Sequence, residues 1–326
     1  MRVLVCHRDH GSHRLAERLA PLLPGITLLE SPPGAPVGPV DGVDALLAIG
    51  RVDRAVMEAG RFAFIQTMGT GYEHIDLSAA SELGIRVAHV PSSLTGNAES
   101  VAEHAVLLML SVARQLPAAL RGLCEKRWAQ PVGRALFGKT ACIVGLGSVG
   151  LALAERLCGF GMKLTATRRN FERGAPAYVH LYPQSQLRLA LSEADYAILC
   201  LRASSENTRL FDAAMLAAMK PGAVLINIAR GSLIDENALV ESIRTGHLRG
   251  AGLDVFWDEP ADPGHPLFQL PQVIATPHIA GITDVNLVGT FQLVAQNLQR
   301  YQKGETPLHL VNDPARPRRP ANANLS

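Results

Sequence analysis

The sequence predicts an α/β protein made of two doubly wound parallel-sheet domains. Three observations carry that expectation. Short apolar runs alternate with amphipathic helical patterns along almost the whole chain, as βαβ units require. A second series of the same kind starts near Lys139, and it opens with a strand, a G-x-G-x-x-G turn and a helix. The 326 residues suffice for two such units without a long structureless loop.

In the first series the apolar runs Val3–Cys6, Ile26–Leu29, Ala45–Ile49, Phe62–Gln66 and Arg86–His89 read as strands, with helical stretches such as Arg14–Leu22 between them. Pro and Gly crowd Ser31–Asp41, which reads as a loop. Asn97–Arg114 is a long helical pattern rich in Ala, Val, Leu and Met. Its periodicity fits a domain connector, a subunit contact or a core helix equally. The second series has strand candidates Thr140–Val144, Lys163–Thr167, Tyr196–Leu201, Ala223–Ile228, Gly250–Val255 and Val273–Thr276. Helices are expected at Val149–Phe160, Asp212–Met219, Asp235–Thr245 and Leu287–Gln302. Asn312–Ser326, rich in Pro, Arg and Asn, reads as a mobile tail.

Composition narrows the function. With 48% hydrophobic and 18% charged residues the chain has a core to bury and no sign of general disorder. Only 5% are aromatic, which disfavours a base-stacking platform, and a net charge of +2 disfavours a nucleic-acid or anionic-membrane partner. The five cysteines form no C-x-x-C pair, and Cys6, Cys142 and Cys200 sit in strand-like runs. Reduced thiols and a cytoplasmic setting are expected. The charged start MRVLVCHRDHG is not expected to be a signal peptide. The apolar stretch near residues 101–112 is broken by Glu103 and His104, so no transmembrane helix is expected. No metal-ligating set is assigned.

The glycine turn reads Gly145-Leu-Gly147-Ser148-Val149-Gly150. Gly145 permits a tight turn, Gly147 lets backbone N–H groups approach a pyrophosphate, and Gly150 lets the helix pack close to the strand. Phosphates would meet the positive end of the helix that starts near Ser148. An NAD enzyme usually places Asp or Glu about 20 residues after the first glycine. This chain has Arg168 there, followed by Arg169. Two guanidiniums suit a 2′-phosphate, which favours NADP(H). NAD(H) stays open if these arginines are only solvated charges.

Three more segments end or follow predicted strands and contain Arg230, Glu259 and His278. Beyond the carboxyl ends of parallel strands they would gather near a bound dinucleotide. Arg can hold a carboxylate and polarise the adjacent carbonyl; His can exchange a proton near neutral pH; Glu beside it would favour the imidazolium and orient it.

With Met68-Gly-Thr-Gly-Tyr-Glu-His-Ile-Asp76, Asn97-Ala-Glu-Ser-Val-Ala-Glu-His104 and Gly138-Lys-Thr before the glycine turn, the sequence resembles the D-isomer-specific 2-hydroxyacid dehydrogenase family over nearly its whole length. The resemblance implies a flavodoxin-like substrate domain split around a Rossmann domain, here residues 1–96 plus 286–326 around 97–285. It implies catalysis between the two and a homodimer formed largely through the nucleotide domains. It also implies reduction of a small 2-oxo acid to a D-2-hydroxy acid, with catalytic Arg230, Glu259 and His278. The amides of Thr70 and Gly71 would bind the substrate carboxylate, Asn97 would line the substrate pocket, and Asp254 would bond the nicotinamide carboxamide. Alternatives remain in this reading, a short phosphoglycerate dehydrogenase among them. Formate dehydrogenases share the segment to His104 but carry Gln at the position of Glu259. Phosphite dehydrogenases carry Lys at the position of Thr70. The C-terminal-binding-protein corepressors keep the catalytic residues in a dinucleotide-sensing scaffold.

Overall fold

The computed structural model describes residues 1–6, 15–31 and 42–318. The start of the expected Arg14–Leu22 helix, most of the expected Ser31–Asp41 loop and the end of the expected tail lie outside the described residues. The chain divides into two compact units, residues 1–96 with 284–326, and residues 97–283. The second crossing falls two residues before the expected boundary, where the last long helix begins at Asp284.

The first unit holds strands β1 (Arg2–Cys6), β2 (Thr27–Glu30), β3 (Ala45–Ala48), β4 (Phe64–Thr67) and β5 (Arg86–Ala88). All pairs are parallel, in the flavodoxin-like order β2-β1-β3-β4-β5. Successive side chains of β1 serve opposite faces. Val3 and Val5 join one apolar cluster, Leu4 and Cys6 the other. A strand buried on both faces has to be an uninterrupted apolar run. Helices α1 (Leu15–Leu19), α2 (Arg54–Ala59) and α3 (Leu77–Glu82) follow the strands, and the side chains of Asp53 and Asp76 cap the last two.

The second unit opens with α4 (Asn97–Ala113) and α5 (Leu116–Cys124). Its sheet comprises β6 (Thr140–Val144), β7 (Lys163–Arg168), β8 (Val179–Pro183), β9 (Tyr196–Leu199), β10 (Val224–Asn227), β11 (Gly250–Leu253) and β12 (Val273–Ala275). The order is β12-β11-β10-β9-β6-β7-β8, parallel throughout. This is the Rossmann arrangement with one added strand, and its order reverses between β6 and β9. Helices α6 (Ser148–Cys158), α7 (Leu187–Glu193), α8 (Ala213–Ala217) and α9 (Glu236–Arg244) complete the layers, and α10 (Asp284–Gln302) returns the chain to the first unit. The edge strand β8 and the helices α5 and α7 have no counterpart in the expected elements.

The expected tail is in part a packed segment. Val311 N–H donates to Val87 O, and the Asn312 amide accepts from Val87 N–H and donates to Ile85 O, so residue 312 completes the edge of β5. The Arg318 guanidinium donates to Gly60 O and Phe62 O, both at 3.2 Å, and burial pulls its pKa below the usual arginine range. Composition suggested mobility, but an open strand edge and three orphan carbonyls supply partners that composition does not reveal.

Candidate functional site

The glycine turn links β6 to α6. The amides of Gly145 and Leu146 both donate to Thr167 O on β7. Gly145 takes φ +101, and a Cβ there would lie 2.7 Å from the Leu201 nitrogen. A Cβ on Gly150 would meet Gly145 O at 2.3 Å. A Cβ on Gly147 meets nothing within 4 Å. The protein's own packing therefore requires two of the glycines. The third, the N-cap of α6, faces open space. The leading amides of a helix, here those of Ser148 and Val149, have no partner within it, and the helix dipole adds positive potential. The residues present fit a dinucleotide pyrophosphate.

Beside this turn lies a cavity of about 380 Å³ at the carboxyl ends of β6, β7 and β9. Arg168, Arg169, Arg173 and Arg202 line it, and no Asp or Glu is among its lining residues. Arg168 closes its own loop by donating to Gly174 O at 2.7 Å, and exposed Arg169 pairs with exposed Glu206 at 3.0 Å. Cys200 also lines the cavity, and burial pushes its thiol up to about 12. A thiol held neutral makes a poor nucleophile.

Arg230, Glu259 and His278 follow the neighbouring strands β10, β11 and β12. His278 Nδ1 bonds Glu259 Oε2 at 2.8 Å, and because a carboxylate only accepts, Nδ1 carries the proton. Glu259 Oε1 takes the Phe256 amide at 3.0 Å, which fixes the carboxylate against its own loop. That loop is locked to Arg230's: a Cβ on Gly231 would fall 2.1 Å from the Phe256 carbonyl carbon. The buried Asn227 side chain donates to Arg230 O and accepts from Ala229 N–H, so it ties down the backbone that presents Arg230. The guanidinium itself donates to Ala229 O at 2.6 Å. The structure thus brings Glu259 and His278 together and sets the Arg230 loop against the loop that carries Glu259.

His278 sits at φ +53, where non-glycine residues are strained. Asp254 holds it there. Its Oδ1 accepts from Ile279 N–H at 2.9 Å and its Oδ2 from Ala280 N–H at 2.8 Å, the two amides that follow His278. The Thr276 hydroxyl adds a third bond at 2.6 Å. Asp254, expected at the nicotinamide carboxamide, is 1% exposed as a side chain and accepts these three bonds.

Thr70 and Gly71 lie in the first unit, in the loop after β4. Gly69 O accepts from Val90 N–H and from the Thr67 hydroxyl. Thr70 O accepts from His89 Nδ1 at 3.1 Å. These peptides are trans, and in a planar trans peptide N–H points opposite to C=O. Both carbonyls are drawn toward residues 89–90, so the Thr70 and Gly71 N–H groups turn to the other side together. Asn97 is the first residue of α4, in the second unit. The sequence reading missed His89, His104, Asn227 and Arg173. Arg173 carried a signal, since it is a third arginine within five residues of Arg168.

Among the described residues no cluster of three or more His, Cys, Asp or Glu could hold a metal. Among the described residues no single helix is long and apolar enough to cross a membrane; α4 and α5 pass that test only together and are bent by 57°.

A family model described as D-isomer specific 2-hydroxyacid dehydrogenase, NAD binding domain, matches residues 106–280. A glyoxylate reductase of Pyrococcus furiosus is 35% identical over 84% of this chain and 83% of its own length. A D-3-phosphoglycerate dehydrogenase of Mycobacterium bovis is 38% identical over 75% of this chain, but the match spans only 46% of that relative. Among solved structures, an NADPH-dependent glyoxylate/hydroxypyruvate reductase from Sinorhizobium meliloti, in complex with NADP and malonate, superposes with a TM-score of 0.85 at 31% identity, covering 98% of this chain and 99% of the other.

Proposed function

The chain belongs to the D-isomer specific 2-hydroxyacid dehydrogenase family, and from that premise we propose that it reduces a small 2-oxo acid, of the glyoxylate or hydroxypyruvate type, to the D-2-hydroxy acid. The observation that carries this reading is the 2.8 Å bond between His278 Nδ1 and Glu259 Oε2. It leaves Nε2 as the ring nitrogen that exchanges a proton with substrate, and it fixes the orientation of the ring. When bound, a reduced nicotinamide supplies the hydride. Arg230 and the Thr70 and Gly71 amides bind the substrate carboxylate, Asn97 lines the pocket, and His278 protonates the developing alkoxide. The pyrophosphate is held by the turn from Gly145 through Gly147 to Gly150, with the Ser148 and Val149 amides. Asp254 supports the His278 turn; in this reading it has a remaining lone pair for the carboxamide.

We assign NADP(H) as the favoured cofactor. Four arginines and no carboxylate line the cavity where the adenosine half belongs, which suits a 2′-phosphate and repels none. Arg168 and Arg169 remain the first choice, joined by Arg173 and Arg202. The exposed apolar residues Leu120, Leu123, Trp128, Val132 and Phe137 support a homodimer through the second unit, and five free cysteines support a reducing, cytoplasmic setting.

His278→Gln should lower turnover of glyoxylate roughly 10²- to 10⁴-fold while cofactor binding persists; persistent turnover would remove the assigned proton donor. The Michaelis constant for NADPH should lie at least about 10-fold below that for NADH. Equal or better use of NADH would defeat the cofactor assignment.

A further inference from the structure

The longest helix of the second unit reaches the catalytic turn through a histidine. Gly252 of β11 allows it: a Cβ there would stand 2.9 Å from Leu108 Cβ, so only a glycine lets α4 lie this close to the strand. His104 is one turn before Leu108, and Asp254 is two residues past Gly252. One helical turn of four residues rises about 6 Å and two strand residues about 6.6 Å, so the same register that seats Leu108 on Gly252 seats His104 beside Asp254. His104 Nε2 lies 2.8 Å from the Thr276 hydroxyl and 3.5 Å from Asp254 Oδ1.

The direction of these bonds follows from proton count. A carboxylate accepts only, so the single hydroxyl proton of Thr276 goes to Asp254. The hydroxyl oxygen must then accept from His104, whose Nε2 carries the proton. Donation runs from His104 to Thr276 to Asp254, and Asp254 also accepts from the amides of Ile279 and Ala280, which holds His278 at its strained φ. His104 is about nine-tenths buried, so it has little water to replace these partners.

We propose that His104 is a positioning residue for the proton donor His278, acting through Thr276 and Asp254. This rests on the role assigned to His278 above. The proposal makes the side chain's Nε2–H donor, not its bulk, the feature that matters.

The test uses the full-length chain and four variants. His104→Leu and Thr276→Val remove the bond; His104→Gln and Thr276→Ser keep a donor or hydroxyl at the same place. With glyoxylate and saturating NADPH or NADH, His104→Leu and Thr276→Val should lower kcat by about 10- to 100-fold, with KM and the dinucleotide Kd within about 2-fold. The glutamine and serine variants should recover most of the loss. Hydrogen exchange, read without any ligand, should be roughly 10-fold or more faster at the Ile279 and Ala280 amides in the two bond-removing variants only. Equal loss in His104→Leu and His104→Gln would reduce the residue to packing and overturn the proposal. So would faster exchange with unchanged kcat. A wild-type chain that reduces no 2-oxo acid, or a fully active His278→Gln, would instead overturn the function and the proposal with it; intact turnover in His104→Leu alone overturns only the proposal.

Discussion

Two loops at the carboxyl ends of parallel strands, both proposed to offer backbone N–H groups to an anion, are built in opposite ways. The turn after β6 takes its shape from residues that lack a side chain. Two of its glycines are demanded by close backbone contacts, Gly150 against Gly145 O five residues back and Gly145 against the Leu201 backbone 56 positions on. The loop after β4 is shaped from outside, by His89 on Thr70 O and by Val90 on Gly69 O. A cradle that requires glycines leaves their spacing in the sequence. A cradle aimed by a side chain 19 positions away leaves none.

Substitutions can break or sharpen that contrast. The largest effect is expected for Gly150→Ala, whose methyl would meet a backbone oxygen that cannot swing aside. It should cost about 3 kcal/mol or more of stability in a urea melt; an unchanged midpoint would contradict the packing described for this turn. Gly147→Ala should do the reverse. Its methyl has room in the protein, so the melt should not move, while dinucleotide affinity by fluorescence titration should drop about 100-fold. A loss of stability in its place would mean that Gly147 serves the fold, not the ligand. The smallest effect is expected in the other loop. His89→Leu should raise KM for the 2-oxo acid about 10-fold and leave the dinucleotide Kd alone. If KM does not change, the loop holds its shape without the histidine and the contrast between the two cradles disappears.

The same distinction explains what could be read from the sequence. The strand Thr140–Val144, the glycine turn and the two-sheet α/β class were legible because each rests on local pattern. The edge strand β8 was not: Val-His-Leu-Tyr-Pro is mostly half-buried, has one neighbour and ends in proline, so it lacks the apolar run of a central strand. Residues 312–318 read as a tail because their composition is polar, while their partners are backbone groups of β5 and of the turn after α2. Arg230, Glu259 and His278 stood out by residue type and place. What holds them did not. Asn227 works through main-chain atoms, Asp254 takes two amides, and His104 and Thr276 meet across 172 positions.

The first unit is assembled from both ends of the sequence, whereas the second is one uninterrupted stretch. A ribosome extends the chain at roughly 5–20 residues per second, so the Rossmann portion can condense while the last helix and the segment that seals β5 are still inside the exit tunnel. The flavodoxin-like sheet must wait for that helix and segment, its outer strand unsealed until Asn312 arrives. During synthesis the dinucleotide-binding half is therefore available to bind ligand before the half carrying Thr70 and Gly71 has closed, and early cofactor capture would steady the nascent chain while its remainder emerges.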